Sequence, residues 1–266
     1  MYGYMGKILR VNLTDQKFST VQTDKYVPKY IGGRGLATRI YFEEIPPEVE
    51  AFDAENKLIF MTGPIQGVPF PGAGRMCVVG KSVENFPVET IMASKAGGWF
   101  PAEMKFAGYD GIIIEGKAEK PVYLWINDAH VDLVPAQGLW GYDTRETQKL
   151  LWRRHGSRTT IAAIGQASEN MCRIGCIVTD SGSGFGKGGY GGIMGSKNLK
   201  AIAIRGTGGV AIADPKGLLE LRKQADRYSG ILREPAVGYG GTKYEVRYPS
   251  PFGSMSSPIG VSMAPR

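Results

Sequence analysis

The chain has 266 residues, enough for one large domain or one and a half ordinary ones, and 42% of them are hydrophobic, which allows a sizeable core. Lysine and arginine exceed aspartate and glutamate by 32 − 25 = 7, which favours an anionic ligand or partner. There is no apolar run of about 18 residues, no long apolar segment near the N-terminus and no more than three cysteines, so we expect no transmembrane helix, no signal peptide and no disulfide framework. We therefore expect a cytoplasmic protein that binds neither a membrane nor nucleic acid.

The first part of the chain is predicted to contain short strands and helices separated by turns. Apolar periodicity predicts strands at 7–13, 18–21, 57–62 and 76–81, and helices at 24–32, 36–44 and 102–106. The cluster at 32–35 contains Arg34, and it is either an anion contact or the end of a helix with a surface arginine. Arg75 begins a strand after a loop rich in proline and glycine, which is a usual position for a ligand-binding arginine. An exposed cation at a strand edge would give the same pattern.

The middle of the chain continues with strands and one well-marked helix. Strands are predicted at 111–117, 122–127, 130–134, 159–164, 173–178 and 201–205. Asp143 and Glu146 form a capping box for a helix over 144–155, and Gly156 ends it. A last helix begins at Pro215 after the cap residue Asp214. Residues 235–266 are rich in proline, glycine and serine without a period, which is typical of a linker, an arm or disorder.

The segment 180–206 is the richest in glycine, and three lysines, Lys187, Lys197 and Lys200, stand among its glycines. Glycine lets backbone N–H groups approach an anion closely, and lysine adds countercharge. The alternative is a flexible surface loop. The P-loop pattern fails at two positions. The dinucleotide pattern fits 184–189, but no acidic residue follows at about twenty residues and no clear helix opens after it. The sequence thus favours an anion other than a common nucleotide.

Several segments taken together resemble one family. GKILRVNL, ENKLIFMTGP, KFAGYDGIIIEGKAEKPVY, AAIGQASEN and MGSKNLKAIAIRG resemble the N-terminal domain of the aldehyde ferredoxin oxidoreductases, over about residues 1–230. The resemblance implies an α+β, strand-rich fold with two β-sheets related by a pseudo-twofold axis and short helices. It also implies a cofactor of tungsten, or molybdenum, held by two pterins whose phosphates are bridged by magnesium.

The resemblance also implies where the pterin cofactor binds. It points to Arg75 and to two glycine loops. The first glycine loop is Lys95, Ala96, Gly97 and Gly98, and the second runs over 183–189 with Ser183, Gly184, Gly186, Lys187, Gly188 and Gly189 as its site residues. Lys95 stands where the family usually has asparagine, and Ser183 and Lys187 stand where it usually has arginine. Because lysine supplies a point charge and arginine a bidentate grip, the loss of the two arginines weakens the expected hold on the cofactor, and Lys95 offsets part of that loss.

The family's [4Fe–4S] cysteines and acid/base residues lie beyond this domain, so no catalytic or metal-ligating residue is assigned here. We expect a pterin-binding domain at 1–210, a helix at 211–233 leading toward a second domain that this chain lacks, and a tail at 234–266. The expected function is that of a cofactor-binding domain or subunit of a tungsten or molybdenum pterin-dependent aldehyde:ferredoxin oxidoreductase, inactive by itself. The alternatives are a scaffold that no longer binds cofactor and a truncated fragment.

The expected partners are a catalytic iron–sulfur subunit or a second copy of the chain, and indirectly a ferredoxin-type electron carrier. The loops carry four aromatic residues, Trp99, Phe100, Phe185 and Tyr190. We expect them to be exposed together on a concave face, as is usual at an interface.

Overall fold

The computed structural model describes residues 1–27, 29–180 and 182–231, with side chains up to residue 225. The first half of the chain forms a six-stranded sheet. Its strands are β1 (Lys7–Asn12), β2 (Lys17–Gln22), β3 (Leu58–Met61), β4 (Met76–Lys81), β5 (Ile91–Ala96) and β6 (Gly111–Glu115). They lie in the order β2-β1-β6-β3-β4-β5. Only β1 and β6 are parallel, and the other neighbours are antiparallel.

The second half forms another six-stranded sheet. Its strands are β7 (Val122–Asn127), β8 (His130–Pro135), β9 (Thr160–Ala163), β10 (Ile177–Thr179), β11 (Gly184–Phe185) and β12 (Leu199–Arg205). They lie in the order β11-β10-β9-β12-β7-β8. Here β7 and β12 are the parallel pair. The described residues thus form two mixed sheets of equal size, and the expected two-sheet α+β fold is confirmed.

The two halves repeat one topology. Besides a short 3₁₀ turn at Thr23–Lys25, the described helices are α1 (Gly33–Glu44), α2 (Phe100–Phe106), α3 (Thr144–His155), α4 (Gln166–Glu169), α5 (Tyr190–Ser196) and α6 (Pro215–Ile231). Each half runs through a hairpin, a long helix, three antiparallel strands, a short helix and a strand parallel to its first. The first glycine loop precedes α2 and the second precedes α5, so the two loops occupy equivalent places in the repeat.

The main apolar core lies between the two sheets. It takes residues from both, and Phe60 of β3 meets Phe185 of β11 edge to face, with ring centroids 5.6 Å apart. A second cluster packs α1 on the outer face of the first sheet, and a third packs α3 on the outer face of the second. None of the helices within the described ranges is long and apolar enough to cross a membrane.

Several elements differ from the sequence-based prediction. The helix predicted from residue 24 is the short 3₁₀ turn, and the cluster at 32–35 begins α1 instead of ending a helix. Gly33 enters α1 with a positive φ of 52° while its N–H bonds to the carbonyl of Thr62, so the helix start depends on a contact with another element. Strands β5 and β11 and helices α4 and α5 were not predicted, and the strand predicted at 173–178 is β10, which begins only at Ile177. The helix over 144–155 is confirmed, with the Asp143 side chain accepting from the Glu146 N–H at 2.8 Å. The tail predicted at 234–266 lies outside the described residues.

Two lysines of the glycine-rich segment serve the fold and not a ligand. The Lys197 ammonium, fully buried, donates to the carbonyls of Asp53, Ala54 and Gly116 at 3.3, 2.9 and 3.0 Å. Lys200 is also fully buried, and it donates to two carbonyls and to the carboxylate of Glu169. The expectation that both lysines supply countercharge for a ligand is therefore wrong, because their charges are used inside the protein.

Replacing Lys197 by methionine should change how stability depends on pH. Burial lowers the pKa of Lys197 to about 7 in the folded protein. The pKa of a lysine in the unfolded chain is about 10.4. Between these values the unfolded chain binds more protons, so the contribution of Lys197 to the free energy of unfolding rises with pH. We expect the advantage of the wild type over Lys197→Met to grow by up to about 1.4 kcal/mol per pH unit above pH ~7, measured by urea unfolding.

The exposed Lys149 offers a matched control, since Lys149→Met removes the same charge from the surface. The free energy of unfolding of Lys149→Met should depend on pH with the same slope as that of the wild type across this pH range. Equal pH slopes for the wild type and Lys197→Met would contradict the prediction.

Candidate functional site

The first glycine loop and Arg75 lie beside each other at one end of the β4–β5 pair. Met76 is paired with Ala96 across these antiparallel strands. Arg75, which precedes Met76, therefore lies next to Gly97, which follows Ala96. A Cβ atom added at Gly97 would lie 3.7 Å from Cγ of Arg75 and 3.7 Å from Oγ of Ser183. Gln66 fixes the Arg75 backbone through a 2.7 Å hydrogen bond to its carbonyl, and the Arg75 side chain is exposed.

Hydrogen bonds between the two halves bring the glycine loops together. The N–H of Gly97 donates to Oγ of Ser183 at 2.8 Å, and the N–H of Lys187 donates to the buried Oγ of Ser94 at 3.0 Å. Strands β5 and β11 are in contact as well. Both glycine loops and Arg75 therefore meet on one edge of the molecule, as expected from the sequence.

At the far end of the second glycine loop, both the carbonyl and the N–H of Gly188 are hydrogen-bonded to side chains. Oγ of Ser82 donates to the Gly188 carbonyl at 3.1 Å, and the Gly188 N–H donates to Oε2 of Glu84 at 2.8 Å. The hydroxyl of Tyr190 reaches back to the carbonyls of Gly80 and Met92 at 3.1 and 2.5 Å. Sequence reasoning missed Ser82, Glu84 and Ser94, because each bonds to a residue more than 90 positions away and no local pattern marks such a pair.

The glycines of these loops have different roles. Gly188 and Gly189 have positive φ angles of 83° and 64°. A Cβ at Gly188 would approach the Tyr190 ring at 2.6 Å, and one at Gly189 would overlap the Arg173 carbonyl oxygen. At Gly186, by contrast, a Cβ would have no atom within 4 Å, and the backbone lies outside the left-handed region. The fold requires glycine at 188 and 189, whereas Gly186 leaves open space that a ligand can occupy.

The exposed charges around the loops are mainly positive. The side chains of Arg75, Lys95 and Lys187 are exposed, as is that of Arg34 at the start of α1. Lys95 stands opposite Cys77 across β4 and β5. Burial raises the pKa of Cys77 to about 12, and the positive charges of Lys95 and Arg34 act against this rise. This edge suits an anionic ligand.

The aromatic face predicted for the loops is not present. Phe100, Phe185 and Tyr190 are completely buried in the core between the sheets, and Trp99 keeps 39% of its surface exposed. They pack inward because the loops lie directly over that core. The prediction that these four aromatics are exposed together is therefore wrong, and it gives no support to an interface through them.

Two other expectations can be compared with the site. A helix, α5, does open directly after Gly189, contrary to the expectation from the sequence. Within the described ranges, no group of three or more histidine, cysteine, aspartate or glutamate residues could hold a metal ion.

Residues 8–206 match the family described as the N-terminal domain of aldehyde ferredoxin oxidoreductase, and the chain belongs to this family. It is similar to the "Tungsten-containing aldehyde ferredoxin oxidoreductase" of Pyrococcus abyssi (strain GE5 / Orsay), with 42% identity over 247 residues, covering 92% of this chain and 40% of that protein. The enzyme of the same name from Pyrococcus furiosus is 41% identical over 248 residues, again covering 92% of this chain and 40% of the relative.

Two further relatives are named for other activities. An "Aliphatic sulfonate oxidoreductase, WOR-like subunit" of Pyrococcus furiosus is 38% identical over 226 residues, covering 78% of this chain and 35% of that protein. A chain of the solved "Active site complex BamBC of Benzoyl Coenzyme A reductase in complex with 1,5 Dienoyl-CoA" superposes with a TM-score of 0.84 at 33% identity, covering 92% of this chain and 37% of that one. The chain thus spans about 40% of the length of the tungsten-containing relatives that it matches.

Substitutions should separate the glycines that the fold requires from the one that faces open space. Gly189→Ala should lower the free energy of unfolding by about 3 kcal/mol, because the new methyl group meets backbone at a positive φ. Gly186→Ala should change it by no more than about 0.5 kcal/mol. Urea unfolding of both variants measures the difference. Equal losses at the two positions would show that the open space at Gly186 does not exist in solution.

Proposed function

We propose that this chain supplies one wall of the binding site for a tungsten, or molybdenum, pterin cofactor. The observation that carries the proposal is the hydrogen bond between the Gly97 N–H and Oγ of Ser183, which joins the glycine loops of the two halves beside Arg75. Membership of the family and relatives named as tungsten-containing support the nature of the cofactor.

The described residues fit such a group. Phosphates bind to cationic side chains and to backbone N–H groups that they can approach closely. Arg75, Lys95 and Lys187 are exposed at this edge, and the space over Gly186 is open. When bound, the cofactor would supply the redox chemistry of the metal. The residues of this chain would hold its pterin and phosphate parts, and the guanidinium of Arg75 is the group best able to bind phosphate bidentately. Magnesium bridging the phosphates belongs to this proposal.

The proposed reaction of the complete enzyme is oxidation of an aldehyde to a carboxylate with electrons passing to a ferredoxin-type carrier. Relatives that share this domain are named for aldehydes, aliphatic sulfonates and benzoyl-CoA. Because the substrates in their names differ while the domain persists, we infer that this domain holds the cofactor and that substrate choice lies in other parts of the enzyme. A scaffold that no longer binds cofactor is the competing function. It is favoured by Lys187 in place of an arginine.

The experiment is a measurement of tungsten, molybdenum and pterin in the purified protein. The variants Gly97→Ala and Gly186→Val should lower cofactor content about tenfold, equivalent to about 1.4 kcal/mol of binding free energy, because the added side chains fill the space over the loops. The control is Gly209→Val, at an exposed glycine that also has nothing within 4 Å of its Cβ position. Wild-type protein without metal and pterin would favour the scaffold, and variants that keep full cofactor content would place the cofactor elsewhere.

We propose that a catalytic part with a [4Fe–4S] cluster completes the site, on another polypeptide or on further chain, and that self-association is the alternative. The chain by itself should therefore show no dye-linked aldehyde oxidation and no iron–sulfur absorbance. Light scattering of the chain, alone and mixed with the product of a neighbouring reading frame, tests the association. Aldehyde oxidation by the isolated chain with about four irons per chain would contradict the proposal. The domain boundaries at 210 and 233 and the cytoplasmic location remain predictions.

A further inference from the structure

The second glycine loop runs along β5, so the site has two distinct ends. Ser183 bonds to Gly97 at one end, Lys187 bonds to Ser94 further along, and Gly188 bonds to Glu84 beyond that. Gly97 and Ser94 are three residues apart on an extended chain, which corresponds to about 10 Å. This separation is about one Debye length at physiological salt, so charges at the two ends are partly screened from each other there and interact more strongly at low salt.

The two ends differ in charge. The end at Gly97 has the exposed Arg75 beside it, and the exposed Lys95 stands two residues before Gly97 in the chain. At the other end the half-buried carboxylate of Glu84 already accepts the Gly188 N–H, next to the exposed Lys187. This backbone N–H is therefore bound to an anion that belongs to the protein, and the Glu84 charge offsets that of Lys187.

We propose that Glu84 is a specificity-determining residue, an internal anion that weakens phosphate binding at the Gly188 end and confines the anionic group of the ligand to the Gly97 end. The Gly188 end then receives a neutral polar part of the ligand. This inference rests on the proposed function, because it concerns the same site.

A purely structural role for Glu84 predicts the opposite result. If the carboxylate served only to hold the loop, its removal would loosen Gly188 and weaken ligand binding. If it acts as an internal anion, Glu84→Gln should strengthen the binding of a phosphate probe, because glutamine keeps a hydrogen-bond acceptor for the Gly188 N–H and loses the charge. The sign of the change separates the two roles.

The experiment is a calorimetric titration of the purified chain with inorganic pyrophosphate at fixed low salt. Glu84→Gln should bind pyrophosphate about threefold to fivefold more tightly than the wild type, the range expected for one partly exposed charge. The gain should shrink at high salt and disappear in the double variant Glu84→Gln/Lys187→Ala. Arg75→Ala should weaken pyrophosphate binding about threefold to fivefold, both in the wild type and in Glu84→Gln.

Two controls isolate the charge. Ser82→Ala removes the other hydrogen bond to Gly188, together with the one that Oγ of Ser82 accepts from the Glu84 N–H, and it keeps the carboxylate, so it should not tighten binding. Glu119→Gln removes an exposed carboxylate between β6 and β7, and it should leave the affinity within about twofold of the wild type. Unchanged or weaker binding in Glu84→Gln, while the wild type binds pyrophosphate, overturns this inference alone. If neither the wild type nor any variant binds pyrophosphate, the proposed anionic cofactor site is overturned together with it.

Discussion

The apolar layer between the two sheets is the interaction on which the site depends. Phe60, Phe185, Tyr190 and many aliphatic side chains from both sheets are removed completely from water there. Burial of apolar surface contributes roughly 25 cal/mol per Å², and here it is shared by residues far apart in sequence. Because the sheets pack through this layer, β5 and β11 lie in contact. The first glycine loop overlaps the end of β5 and the second contains β11, so both are thereby brought to one edge.

Side chains of one half then position the backbone of the other. Ser94 of the first half binds the N–H of Lys187, and Ser183 of the second binds the N–H of Gly97. Hydrogen bonds of this kind each contribute about 1 kcal/mol to stability. Their larger effect is to fix two glycine-rich segments that would otherwise adopt many backbone conformations. The site therefore forms as a consequence of docking the two halves, and neither loop is held by its own half alone.

The protein separates structural charge from exposed charge. Lys105, Lys197 and Lys200 are fully buried, and their ammonium groups bind carbonyls or a buried carboxylate. Arg75 and Lys95 remain exposed beside the loops. A count of lysines in the glycine-rich segment overstates the charge that a ligand would meet, because burial decides which cations face solvent.

The sequence by itself determined much of the local structure. Period and turn residues placed β4, β7 and α3 at the observed bounds, and the motif segments indicated the family and the two-sheet fold. These features follow from interactions within a few residues, which sequence patterns record directly. The tertiary structure alone decided the partners of Gly97 and Gly188, the start of α1 against Thr62, and the burial of Tyr190 and Lys197. Each of these depends on how two segments many residues apart pack together, and the register of that packing is set by the shared core and not by the pattern of either segment.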